Sequence, residues 1–235
     1  MTAPDIIAEL EKLGSESTKR VLGKHGAQEP FFGVKVEDLK TIQKRVKKDH
    51  KLALQLYDTG ISDAMYLAGL IAEPGKMTKV DLGKWAKKAY WYMLGEYTVP
   101  WVAAESRFGV ELALEWIASK NESIAATGWS TYSSYVGITA DADLDLPEIE
   151  TLLDRIAANI HAAPNRVRHT MNHFVIAVGG SVAPLTAKAK ATAKAIGKVS
   201  VEMGGTACKT PNALEAIAKI ESRGKLGAKR KTAMC

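Results

Sequence analysis

Cysteine is nearly absent from this chain of 235 residues: Cys208 and Cys235 are the only two. They form no disulfide framework and neither has the paired spacing of a zinc site, so a reducing, cytoplasmic setting is expected. Long hydrophobic runs are missing as well. The longest, Phe174 to Val178 and Leu67 to Ala72, fall far short of the roughly 20 residues a membrane span needs. The opening Met1-Thr-Ala-Pro-Asp5 has no basic stretch leading into an apolar one, so no secretory leader is expected. Period-two alternation never lasts long enough for a strand. No Ser-His-Asp context, cysteine nucleophile setting or phosphate-cradling loop appears. Gly179-Gly180 and Gly204-Gly205 lack a strand before and a helix after, and they read as helix stops.

What the chain has in quantity is alanine, 34 residues, against only 8 prolines. Alanine is the best helix former, so the composition points to an all-α protein. Apolar residues recur at helical spacing almost throughout, as in Ile6, Ile7, Leu10 and Leu13, or Val36, Leu39, Ile42 and Val46. Thr78 reads as an N-cap for a helix containing Leu82 and Trp85. Further helices are expected near 98–106, 109–119, 122–136, 147–162, 165–178, 184–199 and 211–222. Breaks fall at intervals of roughly 35 to 45 residues per helix pair, the period of HEAT or armadillo units. A stacked α-α superhelix and a compact bundle both fit. Residues 1–223 are expected to form one helical domain, with 224–235 as a basic, flexible tail.

Charge is unevenly placed. The whole chain carries 32 Lys and Arg against 26 Asp and Glu, whereas Pro184 to Cys235 holds eleven basic residues against Glu202, Glu215 and Glu221. Such a region suits a polyanion. Lys190, Lys194 and Lys198 stand four apart and form one stripe on the expected helix, with a solvated face as the plain alternative. The run Asn165-Arg-Val-Arg-His-Thr-Met-Asn-His173 can bring Arg166, His169 and His173 to one face, beside Asn172 and Arg168. His169 and His173 have metal-pair spacing but no third ligand, so no metal or other cofactor is implied. An anion or nucleic-acid contact at the helix start fits better, alongside a purely structural polar network.

All five tryptophans lie between residues 85 and 129. Trp85 and Trp116 sit among apolar neighbours and read as core. Trp101 and Glu105 are four apart, so an indole and a carboxylate can line one cleft, a pairing suited to a cationic ligand. Trp129, in Gly128-Trp-Ser-Thr131, is a candidate exposed ring.

Phe32-Gly-Val-Lys-Val-Glu-Asp-Leu-Lys-Thr-Ile42, Leu56-Tyr-Asp-Thr-Gly60, Trp85, Gly128-Trp-Ser-Thr131 and Asn165-Arg-Val-Arg168 together resemble the AlkD-like DNA alkylation repair family, over roughly residues 15 to 200. The resemblance implies a solenoid of HEAT-like repeats whose concave basic face holds duplex DNA. Active members are glycosylases that remove cationic N3- or N7-alkylated purines without a metal. It implies that Trp101 and Glu105 match a catalytic Trp and an Asp four residues on, and that Phe174 matches a second Trp. The family's Arg falls near Ala126, and no Arg lies between Arg107 and Arg155. The expected function is therefore DNA binding, with Glu105 as charge stabiliser in excision and Trp101 beside it. Phe174, Trp129, Arg166, Arg168, His169, Asn172, Lys190, Lys194 and Lys198 are the candidate substrate contacts. A non-catalytic module for bent, damaged or branched DNA, and a protein-binding solenoid, are the alternatives. The expected partner is duplex DNA, met by a monomer.

Overall fold

Side chains that accept first-turn amides set the helix starts in this chain. Thr2 and Thr78 each form a capping box, with Asp5 and Asp81 respectively. Asp49, Asn121, Asp145 and Asn212 cap four further helices in the same way. Each satisfies a donor that would otherwise lack a partner, worth about 1 kcal/mol apiece.

The computed structural model describes residues 1–234; Cys235 lies outside them. Thirteen α-helices are found there: α1 Ala3–Leu13, α2 Glu16–Lys24, α3 Val36–Val46, α4 His50–Asp58, α5 Ser62–Ile71, α6 Lys79–Lys88, α7 Val99–Ala104, α8 Gly109–Ile117, α9 Glu122–Val136, α10 Leu146–Asn159, α11 Asn165–Ser181, α12 Thr186–Ile196 and α13 Ala213–Ser222. A π-helix, Met93–Thr98, runs directly into α7. Among the described residues there is no strand, and no helix is long and apolar enough to cross a membrane.

Helices α3, α5, α7, α9, α11 and α13 pack in succession as one layer. Behind them α4 packs on α5, α6 on α7, α8 on α9 and α12 on α11, with α10 against α12. This is the α-α superhelix of HEAT-like helix pairs that the loop spacing allows. Buried side chains form two clusters that meet in α8. Leu112 and Trp116 join the N-terminal one, Ala113 and Ile117 the C-terminal one. Neighbours one residue apart on a helix point to different sides, so one short helix serves both cores.

Three expectations need correction. Gly179 and Gly180 do not stop a helix; they lie inside α11. A Cβ on Gly179 would stand 2.4 Å from Ile217 Cδ1, so these glycines let α13 pack closely. The helix expected to reach 199 ends at Ile196, because Gly197 adopts φ 55°, a left-handed conformation open to glycine. Finally, 224–234 does not hang free as a tail. The Gly227 amide donates to the Gly180 carbonyl and the Arg230 amide to the Gly137 carbonyl, both at 2.8 Å. Lys229 Nζ reaches the Val136 carbonyl and Asp141, again at 2.8 Å. Ala233 is fully buried. The basic composition suggested a solvated segment, but backbone donors and one small apolar residue dock it across the first layer. That face is called the inner face below.

Candidate nucleic-acid interface

Pro100 shapes the centre of the inner face. It lies within a continuous helical stretch and cannot donate to the carbonyl one turn back. The preceding turn widens instead: the Val99 amide donates to the Leu94 carbonyl, five residues earlier. Wide turns of this kind often occur at functional sites. The widening brings Glu96, Tyr97 and Trp101 to one wall of a cavity of about 260 Å³ between α7, α9 and α11. Across it stand Ser130, Ser133 and Ser134 of α9 and His169, Thr170 and His173 of α11. Trp101 is held edge-on by Tyr66 at 5.7 Å and by Tyr97 at 6.0 Å between ring centres.

Glu96 is the carboxylate of this cleft. Arg166 grips it with two bonds, Nε to Oε1 at 2.7 Å and Nη2 to Oε2 at 2.5 Å, and stacks over Tyr92 at 4.8 Å. The Glu96 side chain is 6% exposed and that of Arg166 is 22%. Burial pushes the Glu96 carboxyl up and the Arg166 bonds oppose it. Burial works against the Arg166 charge, yet Glu96 holds its pKa above the usual value. On the far side of the pair a second cavity, about 330 Å³, is walled by Tyr90, Trp91, Tyr92 and Ala126.

The start of α11 is already served by the protein itself. The Arg166 amide donates to Glu122 Oε1 at 2.6 Å. Arg168 Nη2 lies 3.4 Å from Asn165 Oδ1, and Asn165 also clasps the backbone of Glu202. Asn172, fully buried, donates to the Pro211 carbonyl at 3.0 Å. His169 Nδ1 meets Thr210 Oγ1 at 3.1 Å. These side chains hold the connection from α12 to α13 across the inner face, which places Asn172, Asn165 and Arg168 in a structural network. Burial, with His173 and Arg166 nearby, lowers the pKa of His169 to about 3. Its ring therefore stays neutral at physiological pH. His173 stays accessible in the cavity, 4.4 Å from the His169 ring centre. The surrounding protein, and then Arg166, lower its pKa too.

The structure separates several residues that sequence spacing had placed together. Trp101 borders the cavity but Glu105 does not: α7 ends at Ala104, and the exposed Glu105 turns to accept the Ala233 amide at 2.6 Å. Trp129 and Phe174 are completely buried and meet edge-on at 5.3 Å. Gly128 causes this, because a Cβ there would stand 2.5 Å from the Ile117 amide, so α9 lies close on α8 and Trp129 is enclosed. Neither ring borders the inner-face cavity. The three-lysine stripe is also broken. Lys198 lies beyond the end of α12, Lys190 pairs with Glu221 at 2.6 Å, and α12 stands in the outer layer.

Two cavity residues escape a reading of spacing. Glu96 joins Trp101 only through the π-turn, for which Pro100 inside a helical pattern was the available signal. Arg230 lines the cavity from the C-terminal segment, and no local pattern announces that. Among the described residues no group of three or more His, Cys, Asp or Glu is placed to hold a metal ion.

A family model described as DNA alkylation repair enzyme matches residues 6–202. The chain is 33% identical over 231 residues to the uncharacterized protein Lmo0209 of Listeria monocytogenes, covering 96% of this chain and 100% of that protein. It is 32% identical over 229 residues to the uncharacterized protein Lin0241 of Listeria innocua, covering 95% and 99%. A solved structure with a TM-score of 0.92 and 39% identity covers 100% of both chains. It comes from a description of a new family of proteins related to the HEAT-like repeat DNA glycosylases with affinity for branched DNA structures.

Proposed function

The chain belongs to the DNA alkylation repair enzyme family, and we propose that it is a binding protein for branched DNA that does not excise alkylated bases. One observation carries the second half of this reading: the carboxylate matched to the family's catalytic acid, Glu105, is engaged by a backbone amide and stands outside the cavity. Catalysis by charge stabilisation needs that group at the reacting centre, and a misplacement of about 1 Å costs on the order of a hundredfold. The aromatic partners expected from the resemblance are withdrawn as well, since Phe174 and Trp129 are core. Nothing comparable removes the binding face. The cavity keeps hydroxyl, imidazole and guanidinium donors along α9, α11 and the C-terminal segment. Affinity for branched DNA is described for the family of the 39% identical structure, which supports carrying that substrate class to this chain.

Binding isotherms on a four-way junction and on linear duplex of the same sequence, at several salt concentrations, test the reading. Phosphate contacts make log affinity fall linearly with log salt. Tighter binding to the junction with a negative slope on both substrates is the expected result. Equal affinity for both, or no salt dependence, would refute it.

A further inference from the structure

We propose that Arg230 is a phosphate-binding residue of the inner-face cavity, and that the cavity takes the phosphate of a nucleotide at a DNA branch point. The inference rests on the reading that this face binds DNA, and it names the contact. It starts from an imbalance in the sequence: no Lys or Arg lies between Lys120 and Arg155, so α9 brings no positive charge to the cavity it lines. Its contributions are the hydroxyls of Ser130, Ser133 and Ser134. Of the lining residues only Glu96 carries a carboxylate, and Arg166 already holds it with two bonds. His169 is neutral. The second guanidinium at this cavity comes from Arg230, 93 positions beyond the end of α9 it rests on.

That placement is built. The Arg230 amide donates to the Gly137 carbonyl at 2.8 Å. A Cβ on Gly137 would stand 3.0 Å from Arg230 Nη2 and 3.3 Å from Nε. Gly137 has φ −73°, an ordinary value for any residue, so its lack of a side chain serves the guanidinium and not the backbone. Arg230 Nη1 also donates to the Ala233 carbonyl at 3.1 Å, while the Ala233 amide is anchored on Glu105. Glu105 thus positions Arg230 through the segment between them. A fixed guanidinium facing hydroxyls and an imidazole provides charge-assisted and neutral donors converging on one group, the arrangement that suits phosphate oxygens. The Tyr97 and Trp101 rings on the opposite wall offer a face for the adjoining base.

Junction binding by three variants tests this. Arg230→Gln is expected to lower affinity about tenfold and to flatten the salt slope by about one unit, one phosphate contact's worth; Arg230→Lys is expected to keep the slope. Glu105→Ala makes the protein more positive, so non-specific electrostatics calls for tighter binding. The positioning role calls for binding weakened severalfold. Flap substrates ending in a 5′-phosphate or a 5′-hydroxyl identify the phosphate: a loss on both marks the backbone, a loss on the first alone marks the terminus. An Arg230→Gln protein that binds within twofold of the wild type with the same slope would overturn the proposal. So would an Arg230→Lys protein with the flattened slope, or a Glu105→Ala protein that binds more tightly. If the wild type itself binds junctions without salt dependence, it is the broader reading that fails.

Discussion

Glu96 and Glu105 sit near the two ends of one helical stretch, within the π-helix and at the C-cap of α7, and their surroundings differ throughout. Glu96 is buried among aromatic rings and bound by a guanidinium from α11; Glu105 is exposed and bound by a backbone amide from the C-terminal segment. One is a fixed internal charge that joins two helices of the inner layer. The other anchors a segment arriving from the far end of the chain. A buried charge without its partner is expensive, whereas an exposed carboxylate keeps water as an alternative. The position of a carboxylate four residues after a tryptophan therefore says less about its role than the width of the helical turn and what docks at the helix end.

The comparison can be broken first at the core behind it. Trp129→Ala should cost about 3–5 kcal/mol, as loss of a large buried ring does, seen as a lower denaturation midpoint. Trp129→Phe should cost much less, because the buried indole N–H has no hydrogen-bond partner to lose. If Trp129 were a ligand-facing ring, the alanine variant would instead be stable and weak in DNA binding.

Next in size is the ion pair. Arg166→Met leaves Glu96 buried without a counter-charge and should cost up to about 3 kcal/mol at neutral pH. The sign with pH follows from Glu96. Its carboxyl is already raised by burial in the folded protein, and loss of Arg166 raises it further. The folded variant therefore holds a proton that the unfolded chain releases as pH rises through the ordinary carboxylate range. The deficit relative to the wild type should be small near pH 4 and grow towards pH 7. A pH-independent deficit in paired denaturation curves would contradict the account of the pair.

Smaller effects belong to the exposed end. Glu105→Gln keeps an acceptor for the Ala233 amide but removes its charge, so a loss of about 1 kcal/mol is expected. It should be visible as faster proteolysis of the C-terminal segment. The smallest effect is expected from changing Lys190, Lys194 and Lys198 together to Gln. Lys190 is paired across to α13, Lys198 has left the helix, and α12 is an outer-layer helix. The salt slope on junction DNA should move by less than one unit, against up to roughly three if all three met phosphates.

Much of the fold was legible in the sequence because its helices announce themselves locally. Apolar spacing, Thr78 with Asp81, and the breaks near residues 14, 26 and 60 depend on neighbours within a turn or two. The resemblance in Phe32 to Ile42 and Asn165 to Arg168 added the superhelical arrangement of those helices. The site was less legible because its geometry depends on contacts far apart in sequence. Gly128 buries Trp129 through α8, and Pro100 moves Glu96 beside Trp101. Gly179 and Gly180 read as stops because an inward-facing glycine and a terminal one look alike until the packing helix, α13, is known. The basic composition of 224–235 suggested freedom, while its backbone amides find partners at Gly180, Gly137 and Glu105.

Base release from duplex DNA carrying N7-methylguanine, measured under single turnover with wild-type protein and with Glu105→Gln, tests the central claim most directly. If Glu105 anchors the C-terminal segment and performs no chemistry, both proteins should release the base no faster than protein-free DNA does. Release above that rate by the wild type, lost in Glu105→Gln, would contradict the account.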